Sequence, residues 1–231
     1  MMKRAFARAL TFGVGPAALL LGVVGFAHTA TGRPILAGLE RMAHGGCPFG
    51  YDKAMSPAER ERASANFAAS HRGQQRAASR PALGFSLDQT TREQVVASMT
   101  AHGVHCAPGL GMSDLTCSQV PSAALPGAAP AGPARTVWFT FGQSAQLLSV
   151  IAVSKAPQPQ TISDAFVTTR RALAEQAGPV ATSQGDANSE ALAKGLLREA
   201  SAEFRFSNYY ALERAANLGS GFVFTEEYRS L

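Results

Sequence analysis

The chain has 231 residues, of which 46% are hydrophobic and only 16% charged, so it has the material for a packed core and is not a disordered chain. Its net charge is +5, but Lys3, Arg4 and Arg8 supply three of those charges, leaving +2 for everything after residue 27. With no basic stripe interleaved with aromatics, this balance argues against nucleic-acid binding.

The basic head Lys3–Arg8 precedes an uncharged run from Ala9 to Gly32, densest over Ala17–Phe26. Spanning a bilayer takes about 20 apolar residues. Basic residues on the N-terminal side hold that end in the cytoplasm and send the rest across. A cleaved secretory signal fits too, with Gly25 and Ala27 spaced for cleavage after Ala27. The length of the run favours an uncleaved anchor. Either way residues 1–32 direct export, and the remainder is expected in the periplasm, tethered to the inner membrane or secreted.

Residues 33–83 read as a helical juxtamembrane region and linker. Ile35, Leu36, Leu39 and Met42 sit at helical spacing in Pro34–Ala43. A glycine-rich turn around His44 and Cys47 follows. This Cys-Pro pair with a nearby His suits either a free thiol or a ligand to haem or metal. Ser56-Pro57-Ala58-Glu59 has the form of a capping box and opens a helix to about Ser70, whose only large anchor is Phe67. His71–Pro81 is polar and reads as a linker.

The region 84–231 reads as the folded domain. Thr90-Thr91-Arg92-Glu93 looks like a second capping box, with Val95 and Met99 on one face and Gly103 as a stop. Leu115–Val120 alternates like a strand. Pro121–Ala134 holds four prolines and two glycines and cannot be one. Arg135–Phe141 alternates again, with Val137, Phe139 and Phe141 facing one way and Thr136, Trp138 and Thr140 the other. Leu147–Lys155 is apolar on both faces and suits a central strand.

The last third repeats the theme. Thr161-Ile162-Ser163-Asp164 can cap a helix carrying Phe166 and Leu173, stopped by Gly178-Pro179. A short helical piece at Ser189–Lys194 and a strand at Ala202–Phe206 come next. Tyr209–Ala216 and Phe222–Tyr228 form a hairpin, with Tyr210, Leu212, Phe222 and Phe224 expected in the core. The fold class is therefore α+β: an N-terminal transmembrane or signal helix, then helices packed on an antiparallel sheet. Helix then strands, twice, suggests a pseudo-repeated two-layer sandwich with sub-repeats 84–155 and 160–231.

Over Leu87–Val153 this order of elements resembles the SmpA/OmlA (BamE-like) family, whose fold is shared by β-lactamase-inhibitor proteins. The matching features are Thr91-Arg92-Glu93-Gln94-Val95 on the helix, and strands holding Val137-Trp138-Phe139 and Leu147-Leu148-Ser149-Val150. Two departures stand out. No lipidation box follows the apolar segment, and Asp88-Gln89 occupies the place of the family's glycine before the helix. The resemblance implies a small extracytoplasmic module that binds other proteins and carries no catalytic residues.

Chemistry-bearing residues are sparse. His102, His105, Cys106 and Cys117 surround one loop, but their spacing matches no common zinc site. In an oxidising compartment Cys106 and Cys117 are expected to form a disulfide, leaving Cys47 over. Ser113-Asp114 lacks a nucleophile turn, and Glu213-Arg214 and Glu226-Glu227 read as solvated strand faces rather than acid/base pairs. The sequence thus points to no enzyme, metal or cofactor. It indicates a protein partner in the cell envelope, met as a scaffold, accessory subunit or inhibitor. The alternative is a ligand- or redox-binding envelope protein using Cys47 and His44.

Overall fold

Ser56 is the N-cap of the first described helix: its hydroxyl accepts from Glu59 N, and the Glu59 carboxylate accepts from Ser56 N at 2.7 Å. This helix is α1, Pro57–His71. The structure, a computed structural model, describes residues 56–109, 114–125, 127 and 135–231. The expected anchor or signal at 1–32, the helix Pro34–Ala43, and the Cys47/His44 pair lie outside them. Among the described residues no helix is long and apolar enough to cross a membrane.

After α1 come a minimal hairpin, β1 (Pro81–Ala82) and β2 (Phe85–Ser86), and helix α2, Arg92–Ala101. Its cap is Thr91, with Gln94 completing the box, one residue beyond the pair expected from sequence. The cause is local. Thr90 Oγ1 already accepts from Ser86 N at 3.0 Å, so it belongs to the preceding turn. Four strands come next: β3 (Cys106–Pro108), β4 (Leu115–Val120), β5 (Arg135–Phe141) and β6 (Leu147–Ala156).

Helix α3, Pro159–Gln176, starts earlier than Thr161. Proline in the first turn sets the helical φ without losing a needed donor, and no side chain caps it. Gly178, at φ +128°, turns the chain out of the helix. The rest is β7 (Thr182–Gln184), α4 (Ser189–Ala193), β8 (Glu199–Arg205), β9 (Tyr209–Asn217) and β10 (Phe222–Ser230).

The result is α+β with one eight-stranded antiparallel sheet, ordered β3-β4-β5-β6-β10-β9-β8-β7. Two four-strand meanders, β3–β6 after α2 and β7–β10 after α3, meet where their last strands pair.

Strand register divides the sheet into two faces. On the inner face one row of paired residues crosses all the strands: Cys106, Cys117, Val137, Ala152, Glu226, Glu213, Ala202 and Ser183. Val95 and Met99 of α2, Ile162, Phe166 and Leu173 of α3, and Leu192 of α4 share a buried core with this face. Phe166 meets Phe224 edge-on at 6.3 Å, and Phe85 meets Phe139 the same way at 5.4 Å.

Of the expected core residues in the closing hairpin, Phe224 is fully buried in that core and Phe222 is half-buried against it. Tyr210 is buried as expected, but on the opposite face, against Phe67 and His71 of α1, and Leu212 is half-buried on that same face. The odd-numbered residues of β9, Tyr209, Ala211, Glu213 and Ala215, turn inward instead. The segment after α1 is stitched to the domain rather than free. Gly73 N donates to Phe206 O at 3.0 Å, Ser207 N to Gln75 O at 2.7 Å, and Ala78 N to Ala177 O at 3.1 Å.

Candidate functional site

The outer face of the sheet is the face opposite the core shared with α2, α3 and α4. α1 covers one corner: Phe67 meets the edge of Tyr210 at 5.0 Å, His71 stacks on Phe67, and the Arg229 guanidinium lies 4.5 Å from the Phe67 ring centre. Beyond that corner the register sets two rows side by side. One runs Thr116, Trp138, Ile151, Glu227, Leu212, Glu203. The next runs Thr136, Val153, Thr225, Arg214, Ser201.

Trp138 is 38% exposed, and Ile151, Val153, Leu212 and Thr225 are half-buried. A solvated sheet face is ordinarily polar. This one places an indole beside two β-branched side chains, each stiff at its first torsion and so cheap to immobilise in a contact. Its charges are largely matched: Glu227, between Ile151 and Leu212, with Arg229, Arg205 with Glu203 at 2.7 Å, and Arg214 with Glu199 at 2.9 Å.

The residues singled out from sequence fall elsewhere. Cys106 and Cys117 sit directly opposite each other in the β3–β4 pair, Cα atoms 4.2 Å apart, joined as a disulfide. His102 is exposed at the end of α2, its Nδ1 2.9 Å from Ser98 O, and His105 is exposed beside Cys106. Among the described residues no three His, Cys, Asp or Glu side chains come together to hold a metal.

One pair departs from the sequence expectation. Glu213 and Glu226 are not on a solvated face: both are at 0% exposure and paired across β9 and β10 on the inner face. The Arg135 Nε lies 3.5 Å from Glu226 Oε2, and the Tyr228 hydroxyl donates to Glu226 Oε1 at 3.1 Å. Among the described residues neither Glu213 oxygen has a hydrogen-bond partner. Burial, and then the charge of Glu226, push Glu213 up to about 9, so it is neutral at pH 7. Burial likewise raises Glu226, against the pull of Arg135. The sequence does carry a signal for this. Tyr209, Ala211 and Ala215 alternate in phase with Glu213, as Phe224 and Tyr228 do with Glu226.

No family model matches the chain, and no curated protein matches it. Among solved structures, a DUF4309 family protein, YjgB from Bacillus subtilis, is similar at 12% identity and a TM-score of 0.36. The match covers 72% of this chain and 92% of that one.

Proposed function

We propose that this chain is an extracytoplasmic protein-binding module, a scaffold, accessory subunit or inhibitor, that meets its partner with the outer sheet face. The observation that carries this reading is the contiguous Trp138–Ile151–Val153 surface, with Leu212 further along the Trp138–Ile151 row. Tryptophan anchors ringed by polar residues are the usual energetic centres of protein interfaces. Matched charges, among them Glu227 between Ile151 and Leu212, give register without a net field.

The disulfide between Cys106 and Cys117 supports an oxidising compartment. The basic head and apolar run at the N-terminus support export and a tether in the inner membrane. The order α2, β3–β6, α3, β7, α4, β8–β10 supports the pseudo-repeated two-layer sandwich that the sequence pattern suggests.

The test is site-specific photocrosslinking in native membranes. A crosslinker at 138, 151 or 153 should give the same discrete protein adduct, and one at Glu175, exposed on α3, should give none. Adducts that form equally from both places, or only from Glu175, would refute the assignment.

A further inference from the structure

Two carboxyl groups, those of Glu213 and Glu226, face each other in the interior of this domain. The row that holds them continues into Ala152 on one side and Ala202 on the other, whose side chains carry no polar atom. From β5, Arg135 approaches Glu226; from β10, Tyr228 donates to it. From β9, Tyr209 feels the charge of Glu213, and of Arg80 less, but donates its hydroxyl to Pro81 O at 2.6 Å. From α3, Arg170 supplies the positive charge that acts on Glu213, while its guanidinium lies 5.8 Å from the Phe166 ring centre. Glu226 thus has both a cation and a donor. Glu213 has neither in contact.

Two negative charges on directly paired, fully buried residues repel in a medium of low polarisability, and each also loses its hydration. The closed core therefore requires one proton on the pair, and the contacts decide where it sits. Glu226 is the better-served anion, so Glu213 carries the proton.

We propose that the Glu213–Glu226 pair beneath α3 is a proton-operated latch, closed while Glu213 holds its proton and released when that proton is lost. Release sets a bare carboxylate beneath the Phe166–Phe224 contact, opposite Glu226. The charge is relieved by drawing Arg170 and water inward along the flank of α3. That flank already borders a cleft of about 230 Å³ lined by Ser163, Phe166, Val167, Arg170 and Ser183. Helix α3 loosens from β9 and β10, while α1, on the other face, does not.

The direction with pH comes from linkage. Glu213 ionises at about 9 in the folded domain, against an ordinary 4.5. Its contribution to stability is fully present below the unfolded value. Above that the unfolded chain releases a proton the folded domain keeps. The folded-to-unfolded ratio then falls by up to about tenfold per pH unit, until the folded group also ionises. The domain is tightest in mild acid and slackens toward alkaline pH.

The test uses the full chain with carboxyl-¹³C glutamate and its Glu213→Gln variant. One glutamate carbon should titrate far above the ordinary carboxylate range and be missing from the variant. Hydrogen exchange in α3, corrected for intrinsic rates, should speed up at least about tenfold between pH 5.5 and 8.5 in the wild type only. A Glu213 carbon that titrates in the ordinary range overturns the proposal, as does α3 protection with the same pH dependence in both proteins. If the variant does not fold, wild-type exchange decides: α3 protection that does not fall between pH 5.5 and 8.5 overturns the proposal.

Discussion

The ring of Tyr210 stands at 90° to that of Phe67, centroids 5.0 Å apart, and so fastens α1 to the outer face of a sheet whose inner face carries α3. Most of α1 before Phe67 is exposed, so this helix hangs on few contacts. An edge-to-face aromatic pair contributes about 0.5–1.5 kcal/mol beyond its burial. Phe67→Ala is therefore expected to free α1 while the sheet stays folded. Trypsin should cut at Arg62 many times faster in the variant, with a nearly unchanged thermal midpoint. A large fall in midpoint would show that α1 is integral to the core.

How far the sequence foretells this arrangement depends on where side-chain chemistry and strand phase agree. In β5 they do: Val137, Phe139 and Phe141 are apolar and turn inward, while Trp138 turns out. In β9 they conflict. Tyr210 and Leu212 look like the sheet's core set, yet Tyr210 is buried only against α1, and the register with β10 puts Glu213 in step with Glu226, inside. The in-phase Tyr209, Ala211 and Ala215 hint at it, but the burial that keeps the carboxyl neutral comes from β10 and α3, which are remote in sequence. The cap of α2 slips by one residue for a similar reason, since Thr90 is claimed by Ser86. Trp138 is legible as outward-facing. That its neighbours in space are Ile151 and Val153 requires the register.

Adjacent residues on β5 should separate binding from stability. Phe139 is fully buried, and Phe139→Ala should cost about 3–5 kcal/mol. Trp138→Ala, on the open face, should cost no more than about 1 kcal/mol, the scale of a cross-strand pair. It should nevertheless abolish the adduct formed from position 151. Denaturant unfolding and crosslinking of both variants check this; loss of the adduct with no loss of stability is the result expected for Trp138 alone.

Cys106 and Cys117 close a loop with a sequence separation of 11. In the chain-entropy model such a bridge stabilises by about 3 kcal/mol. Replacing both with alanine should lower the thermal midpoint by roughly 10 °C. Non-reducing peptide mapping should recover the Cys106–Cys117 peptide as the major species. A major peptide that joins either residue to Cys47 would refute the pairing.

The last prediction separates the two causes that hold Glu213 neutral. Burial is the larger and the charge of Glu226 the smaller. Glu226→Gln removes the second and leaves the first. It also sets the Arg135 guanidinium, 3.5 Å from Glu226 Oε2 in the wild type, against a neutral amide, so the variant should be less stable near pH 7. The carboxyl of Glu213 should then titrate below its wild-type value of about 9 but still above the ordinary 4.5. The stability decline toward alkaline pH would begin at the same place, where the unfolded chain ionises, and level off earlier. Carbon-13 titration of Glu213 in the variant measures this directly. A value unchanged from wild type would mean that Glu226 is itself neutral when Glu213 ionises. A fall all the way to the ordinary range would mean that repulsion between the carboxylates, and not burial, sets the proton on Glu213.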